Sequence, residues 1–303
     1  MSSSADIHKS PTFSEVETAF TDLNDAILGH SKWLIEWNTR IICGITVEPP
    51  YISEASHKEC FFGRWYYGIH PHFIVQKPEF AKFDAQHNTV HECMRAIVKK
   101  ANNKEPVSRD EYTQFINSES TFSKSLITLR DELYTLLLSF DYLTGTLNRQ
   151  AFFHILEQEQ SRVSRCGEPG CLVLLDIDKF KNINDNYGHG VGDTVLKTIS
   201  TFIIEHLRPY DSICRYGGEE FLICMPNTTI ENAHTIIDRL RKKLSQKPIT
   251  ISSSNTLNIS ASFGIAAMSS EYDLDEAIEY ADQALYKAKA SGRNQVGIWS
   301  NQF

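Results

Sequence analysis

The stretch ICRYGGEEFLIC, from Ile213 to Cys224, is two apolar runs around a pair of glycines, the pattern of a β-hairpin. Gly217 and Gly218 remove two side chains, so a ligand can come close to the backbone. Glu219 and Glu220 set two carboxylates beside that approach. Upstream, CLVLLDI (Cys171 to Ile177) is a short continuous apolar run, read as a buried strand that presents Asp176 near its end and Asp178 just beyond. If hairpin and strand pair, Asp176, Glu219 and Glu220 converge on a phosphate-sized space. Hard oxygen ligands at such a point suit Mg2+ bound together with the phosphates of a nucleotide. A Gly-Gly pair is most often only a turn, however, and adjacent glutamates are most often solvated. Spacing alone leaves both metal–phosphate chemistry and a plain surface hairpin open.

Outward from this core, the chain after Asp141 alternates apolar runs with amphipathic stretches, an α/β pattern. Predicted strands are Cys171–Ile177, Ser212–Tyr216, Phe221–Met225 and Leu257–Met268. Predicted helices are Arg149–Cys166, Val191–His206, Ile230–Gln246 and Leu274–Ala290. The N-terminal half reads as helical. Val16, Phe20, Leu23, Ile27, His30, Leu34, Trp37 and Ile41 recur at steps of four and three. A loop-rich stretch with Pro49 and Pro50 follows, and then Phe80, Phe83, His87, Val90, Met94 and Ile97 repeat the spacing. A third seam runs Tyr112, Phe115, Glu119, Phe122, Leu126, Leu129, Leu133, Leu136, Phe140. Its later part has no evident partner within the chain. It is read as a coiled-coil-like helix pairing with a second copy, against the alternative of an ordinary packed amphipathic helix. The expected architecture is therefore two-domain: an all-α helical bundle over residues 13–139 and an α/β domain over 140–303.

With 41% hydrophobic and 22% charged residues in 303, the composition is that of a soluble globular protein. A net charge of −8 and a pI near 5.8 argue against an electrostatic nucleic-acid binder. The opening MSSSADIHKSPTFSEVE lacks the basic flank and apolar core of a signal peptide. No apolar run approaches the roughly 20 residues that cross a bilayer. Seven cysteines without regular spacing read as thiols of a reduced, cytoplasmic protein. Neither nucleic acid nor membrane is expected as a partner.

Gly217-Gly218-Glu219-Glu220-Phe221 resembles the signature of the GGDEF family of diguanylate cyclases in its GGEEF form. DYLTGTLNR (Asp141 to Arg149), DIDKFKNINDNYGHGVGD (Asp176 to Asp193) and ADQALYKAKASGRN (Ala281 to Asn294) resemble further blocks of that family in the same order. The resemblance covers about Asp141 to Gly297. It implies a palm-like nucleotidyl cyclase domain that condenses two GTP into cyclic di-GMP and releases pyrophosphate. Asp176 and Glu219, with the main-chain carbonyl of Ile177, would hold Mg2+, two ions per active site. Glu220 would be a further ligand or a base for the ribose hydroxyl. Asn184 and Asp193 would read guanine, since a carboxylate can accept from its N1–H and amino group. Phe180, Lys181 and His189 would shape the pocket, with Gly217 and Gly218 at its wall. Lys289 and Arg293, at (i, i+4) near the end of a helix, would neutralise the triphosphate. One domain holds one GTP, so catalysis would require a homodimer. Arg208 and Asp211, in the RPYD that precedes the signature, resemble the family's inhibitory product site for cyclic di-GMP.

In the helical half, His87 and His91 stand at (i, i+4), and His30 lies on the first seam. A buried imidazole needs a partner. With 11 histidines in the chain, the pair alone is better explained by packed core histidines. Cys60 would complete a four-ligand set suited to tetrahedral Zn2+. CFFGRW (Cys60 to Trp65), with His30 before it and His87-x-x-x-His91 after, resembles the chemoreceptor zinc-binding (CZB) domain over roughly Phe13 to Ser139. That resemblance implies one regulatory Zn2+ per N-terminal domain, inhibitory to the cyclase. His57, His70 and His72 lie in the irregular segment and are left out of the set. Two other readings compete: a catalytically inactive cyclic di-GMP receptor that uses Arg208 and Asp211, and an N-terminal scaffold that dimerises without a ligand.

Overall fold

The computed structural model describes residues 11–47, 52–252 and 255–300. Residues 1–10, read for a targeting segment, and Pro49 and Pro50 lie outside the described residues. Contacts fall into two compact units, Pro11–Leu138 and a second that begins at Ser139. No helix among the described residues is long and apolar enough to cross a membrane.

The first unit is all helix: α1 (Phe13–Ile42), α2 (Ser56–Glu59), α3 (Phe61–Tyr66), α4 (His72–Val75), α5 (Pro78–Asn102) and α6 (Arg109–Leu137). Two of the long helices open on capping boxes, Thr12 with Glu15 and Ser108 with Glu111, and α5 opens with a proline in its first turn. Their seams bury one core that includes Leu23, Trp37, Phe62, Phe83, Phe115 and Phe122. Aromatic pairs fix the sense of α1 against α6. Phe20 meets Tyr134 at 5.9 Å and Trp37 meets Phe115 at 4.9 Å, so the two helices run antiparallel. Of the third seam, Phe115, Phe122, Leu126, Leu129 and Leu133 are buried inside this unit, whereas Leu136 and Phe140 beyond them are only half-buried. The irregular segment resolves into the short α2, α3 and α4.

The second unit contains α7 (Arg149–Cys166), β1 (Gly170–Ile177), α8 (Phe180–Tyr187), α9 (His189–His206), β2 (Ser212–Arg215), β3 (Glu220–Pro226), α10 (Ile230–Gln246), β4 (Pro248–Ser252), β5 (Asn255–Asn258), β6 (Ala261–Met268), α11 (Leu274–Ala290) and β7 (Val296–Ile298). The main sheet has the order β2-β3-β1-β6-β7, with β7 parallel to β6 and the other neighbours antiparallel; β4 and β5 form a separate hairpin. All eight residues of β1 are buried. Val173 and Leu175 face a core shared with α9 and α10, and Leu172 and Leu174 face one shared with α7 and α11. A strand covered on both faces reads as a continuous apolar run, which is how β1 stood out in the sequence. Each large side chain so buried contributes roughly 1.5–3 kcal/mol before entropy is counted.

The predicted strand Leu257–Met268 is two strands, because Ile259 and Ser260 leave the ladder, and the Ser260 carbonyl accepts the Asp178 amide at 2.9 Å. Helix α11 lies close against the sheet. A Cβ on Gly264 would overlap backbone atoms of Ala281 and Leu285, and one on Gly297 would overlap the Ala284 carbonyl. Only glycine permits that approach.

Candidate functional site

The hairpin does pair with the strand. In the β1–β3 register Asp176 stands opposite Glu220, and the Ile177 amide donates to the Glu219 carbonyl at 3.3 Å. The turn is built by Tyr216 and Gly217, whose amides both donate to the Glu220 carbonyl. Arg215 clamps it from outside, its Nε and a terminal nitrogen donating to the Gly218 carbonyl at 3.1 and 2.8 Å. The same guanidinium lies 3.8 Å from Asp141, whose carboxylate accepts from the amide and hydroxyl of Thr144. The opening motif thus forms a tight turn docked beside the GGEE turn. A side chain on Gly218 would meet nothing within 4 Å, so the approach over that residue is open.

Lys289, near the end of α11, reaches Asp176 with its Nζ 2.7 Å from a carboxylate oxygen. Burial pushes the carboxyls of Asp176, Glu219 and Glu220 above the usual carboxylate range. The charge of Asp176 adds to the rise at both glutamates, and the Lys289 ammonium opposes it throughout. One buried and two half-buried carboxylates facing one ammonium leave an excess of negative charge, the electrostatic condition a divalent cation would relieve. The donor set is all oxygen, which fits Mg2+.

Asp178 has another role. Its carboxylate accepts from the hydroxyls of Ser260 and Ser262 at 2.6 and 2.7 Å and from the Asn294 amide at 3.0 Å. It thereby ties the turn after α11 to the end of β1. Arg293 and Asn294 in that turn are left-handed, with φ of 64° and 47°. This corrects the helical spacing argument: α11 ends at Ala290, so Arg293 does not share its face with Lys289 and is held by the turn instead. Its charge still acts on Asp176.

The remaining residues expected to line the nucleotide pocket lie on α8 and the first turns of α9. Phe180 is buried and Lys181 and His189 are exposed. Asn184 has a buried side-chain oxygen without a hydrogen-bond partner, pressed against Gly192, and Asp193 is exposed one residue further on. An unpartnered buried acceptor is a costly feature that a ligand donor would satisfy. At the other end of α9, Asp211 accepts from the Arg208 amide at 2.9 Å through one oxygen, while its other oxygen is buried and unpartnered. Arg208 itself is exposed.

In the helical unit, the Cys60 Sγ lies 3.4 Å from the His87 Nε2, which lies 3.1 Å from the His91 Nε2. His30, Cys60 and His87 offer ligand atoms all within 4.8 Å of one another; His91 joins them through His87. All four are buried, and neither ring nitrogen of His30 has a hydrogen-bond partner. Tetrahedral Zn2+ with the usual bond lengths spaces two nitrogens about 3.3 Å apart and nitrogen and sulfur about 3.6 Å apart. The Cys60–His87 and His87–His91 separations are close to these, and His30 lies within reach of the same point, a donor set that fits the ion. Burial lowers the imidazoles of His30 to about 4 and of His91 to about 2, and lowers His87 as well. These rings are therefore neutral, the form that binds metal. Burial raises the Cys60 thiol, against the pull of the Gly63 amide.

Sequence reasoning missed Asp178 as an anchor, Arg215 as a clamp, and Ser56 and Arg95 beside the histidines. The alternation Ser260-x-Ser262, which puts two hydroxyls on one side of a chain segment, could have revealed the first.

A family profile described as "Diguanylate cyclase, GGDEF domain" matches residues 138–295, and one described as "Chemoreceptor zinc-binding domain" matches residues 30–98. The chain is 32% identical over 287 residues to the diguanylate cyclase DgcZ of Escherichia coli K12, covering 93% of this chain and 94% of that one. It is 36% identical over 195 residues to the response regulator PleD of Caulobacter vibrioides, covering 64% of this chain but 40% of that one. The crystal structure of the coiled coil and GGDEF domain of DgcB from Caulobacter crescentus, in complex with c-di-GMP, aligns at a TM-score of 0.56 and 30% identity, covering 60% of this chain and 98% of that one. With the acidic cluster at the sheet end and a profile spanning more than half its length, the chain belongs to the GGDEF family of diguanylate cyclases.

Proposed function

We propose that the protein condenses two GTP into cyclic di-GMP as a homodimer, with one nucleotide held on each GGDEF domain and with zinc in the helical unit as an inhibitor. The observation that carries the reading is the convergence of Asp176, Glu219 and Glu220 with Lys289 at one end of the sheet. Asp176, Glu219 and the Ile177 carbonyl would hold Mg2+, with Glu220 as further ligand or as base. Two such ions, when bound, stabilise the charge on the attacking and leaving oxygens of phosphoryl transfer. Lys289 and Arg293 bind the triphosphate and orient the α-phosphate for the 3′-hydroxyl of the opposite nucleotide. Asn184 and Asp193 select guanine: the unpartnered Asn184 oxygen takes a donor and the Asp193 carboxylate accepts from N1–H and the amino group. Phe180, Lys181 and His189 border the base, the open approach over Gly218 leaves room for phosphate, and Gly217, with the Glu220 carboxylate close above it, forms the wall beside it.

His30, Cys60, His87 and His91 would hold one Zn2+ with four protein ligands, a closed sphere that suits sensing rather than hydrolysis. Arg208 and Asp211 would bind the product, the unpartnered Asp211 oxygen accepting from guanine. The test is cyclic di-GMP formation from GTP and Mg2+ by the purified protein, with and without a zinc chelator. Product that rises with chelator is expected. No product in either arm, with GTP bound and a dimer intact, overturns the enzyme reading in favour of a cyclic di-GMP receptor. An unchanged rate on complete zinc removal overturns the inhibitory role alone.

A further inference from the structure

The short helix α2 and the long helix α5 meet through two matched pairs of residues. Ser56 and Cys60 are four apart, joined by the Cys60 amide donating to the Ser56 carbonyl at 3.0 Å. His87 and His91 are four apart on α5. The pairs cross in antiparallel order: Cys60 meets His87 at 3.4 Å and Ser56 Oγ meets His91 Nδ1 at 3.0 Å. Ser56 is 2% exposed and His91 fully buried, so this is an interior contact without solvent to replace it. Arg95, one turn further along α5, donates to the Ser56 Oγ at 3.3 Å and to the Ser53 carbonyl at 3.5 Å. With one lone pair taken by the guanidinium, the hydroxyl oxygen keeps a second that can accept from His91.

We propose that Ser56, held by Arg95, is the positioning residue of the zinc site: it accepts the Nδ1–H of His91 and so turns Nε2 of that ring toward the metal. The inference rests on the zinc reading given above. A metal on Nε2 requires a neutral ring with its hydrogen on Nδ1, and a histidine ligand whose other nitrogen has a hydrogen-bond acceptor is fixed in tautomer and orientation. His91 is the member of the set that lies outside the tight trio of His30, Cys60 and His87, so it is the ligand with most need of orientation. One turn of helix thus supplies both a ligand, Cys60, and the support for another, His91. Neither Ser56 nor Arg95 touches the metal in this arrangement.

The experiment is a zinc competition titration against a chromogenic chelator, on full-length protein stripped of metal, for wild type, Ser56→Ala and Ser56→Thr. Ser56→Ala is expected to weaken zinc binding 10- to 100-fold, the range for loss of a supporting partner, and Ser56→Thr to restore it to within a few-fold of wild type. A Co2+ absorption spectrum adds a geometric readout: the tetrahedral bands should weaken or shift in Ser56→Ala and return in Ser56→Thr. A purely structural serine would leave those bands unmoved at saturating metal. Wild type that binds zinc with the Ser56→Ala affinity and spectrum unchanged overturns the positioning role only. Wild type that binds no zinc overturns the underlying zinc reading instead.

Discussion

At the sheet end, the buried Asp176 and the half-buried Glu219 and Glu220 are carboxylates in mutual repulsion, with an internal ammonium from Lys289 set against them. In the helical unit, His30, Cys60, His87 and His91 are fully buried and uncharged, and aromatic rings pack around them: Trp33 stacks on His91 at 4.5 Å and Phe122 on His87 at 5.0 Å. Both clusters are arranged for a cation, yet they differ in charge, access and hardness. An open, anionic, oxygen-lined site exchanges its ion with a phosphate-bearing ligand and does work on it. A closed nitrogen-and-sulfur site suits an ion that is held in place.

The sharpest way to break this comparison is to remove one charge from the first cluster. Asp176→Asn is expected to lower cyclic di-GMP formation about 1,000-fold, the several kcal/mol a metal-centred site contributes. Turnover at saturating GTP and Mg2+ measures it, and a rate within tenfold of wild type would place the metal elsewhere. In the second cluster, His87→Ala should lower zinc affinity by more than about 100-fold, beyond the effect expected of a supporting group, while cyclase activity becomes insensitive to chelator. Metal content after gel filtration is the readout. A smaller effect is expected from Asp178→Ala, which strands two hydroxyls and an amide that now donate to that carboxylate. It should cost roughly 3 kcal/mol in a urea melt and raise the KM for GTP by releasing the Arg293 turn.

The smallest effect concerns acid, and the two units should answer it with opposite sign. The unfolded chain binds protons on histidine near pH 6.5, whereas burial holds His30 at about 4 in the folded chain. Stability of the metal-free helical unit is therefore full above about pH 6.5 and falls as pH drops toward 4. The sheet-end carboxyls are raised on folding. Their repulsion is absent below their unfolded pKa values and sets in as pH rises through the folded ones. Melting of chelated protein at pH 7.5 and 5 should show the helical transition lower by several degrees in acid, without a matching loss in the α/β transition. Equal losses in both would sink the contrast.

Much of this was legible in the sequence because the physics was local. The bounds of α7, α10 and α11 follow from caps and periodicity: Asn148, Thr229 and Asp273 each accept an amide of the first turn. The burial of β1 on both faces follows from its continuous apolar run, whereas its pairing with the hairpin, left conditional in the sequence, is supplied by the structure. Helix α8 was missed because NINDN carries little apolar signal, and β4 and β7 because short strands depend on neighbours for their hydrogen bonds. Pairings across long separations were out of reach. Asp178 and Asn294 are 116 residues apart, and nothing in a linear pattern joins them. Ser56 and His91 were hidden for the same reason. The third seam shows the limit of periodicity, which announces an apolar face without naming what covers it.

Gly264 and Gly297 lie under α11, against the backbone of Ala281, Ala284 and Leu285. Their missing side chains set how deep that helix sits, and with it the height at which Lys289 meets Asp176. A methyl group added at Gly264 has only main-chain atoms to push against, and those can yield only by lifting the whole helix. Tolerance to mutation in this domain should therefore map poorly onto distance from the chemistry. Among the positions least free to drift are two whose contribution is the absence of an atom.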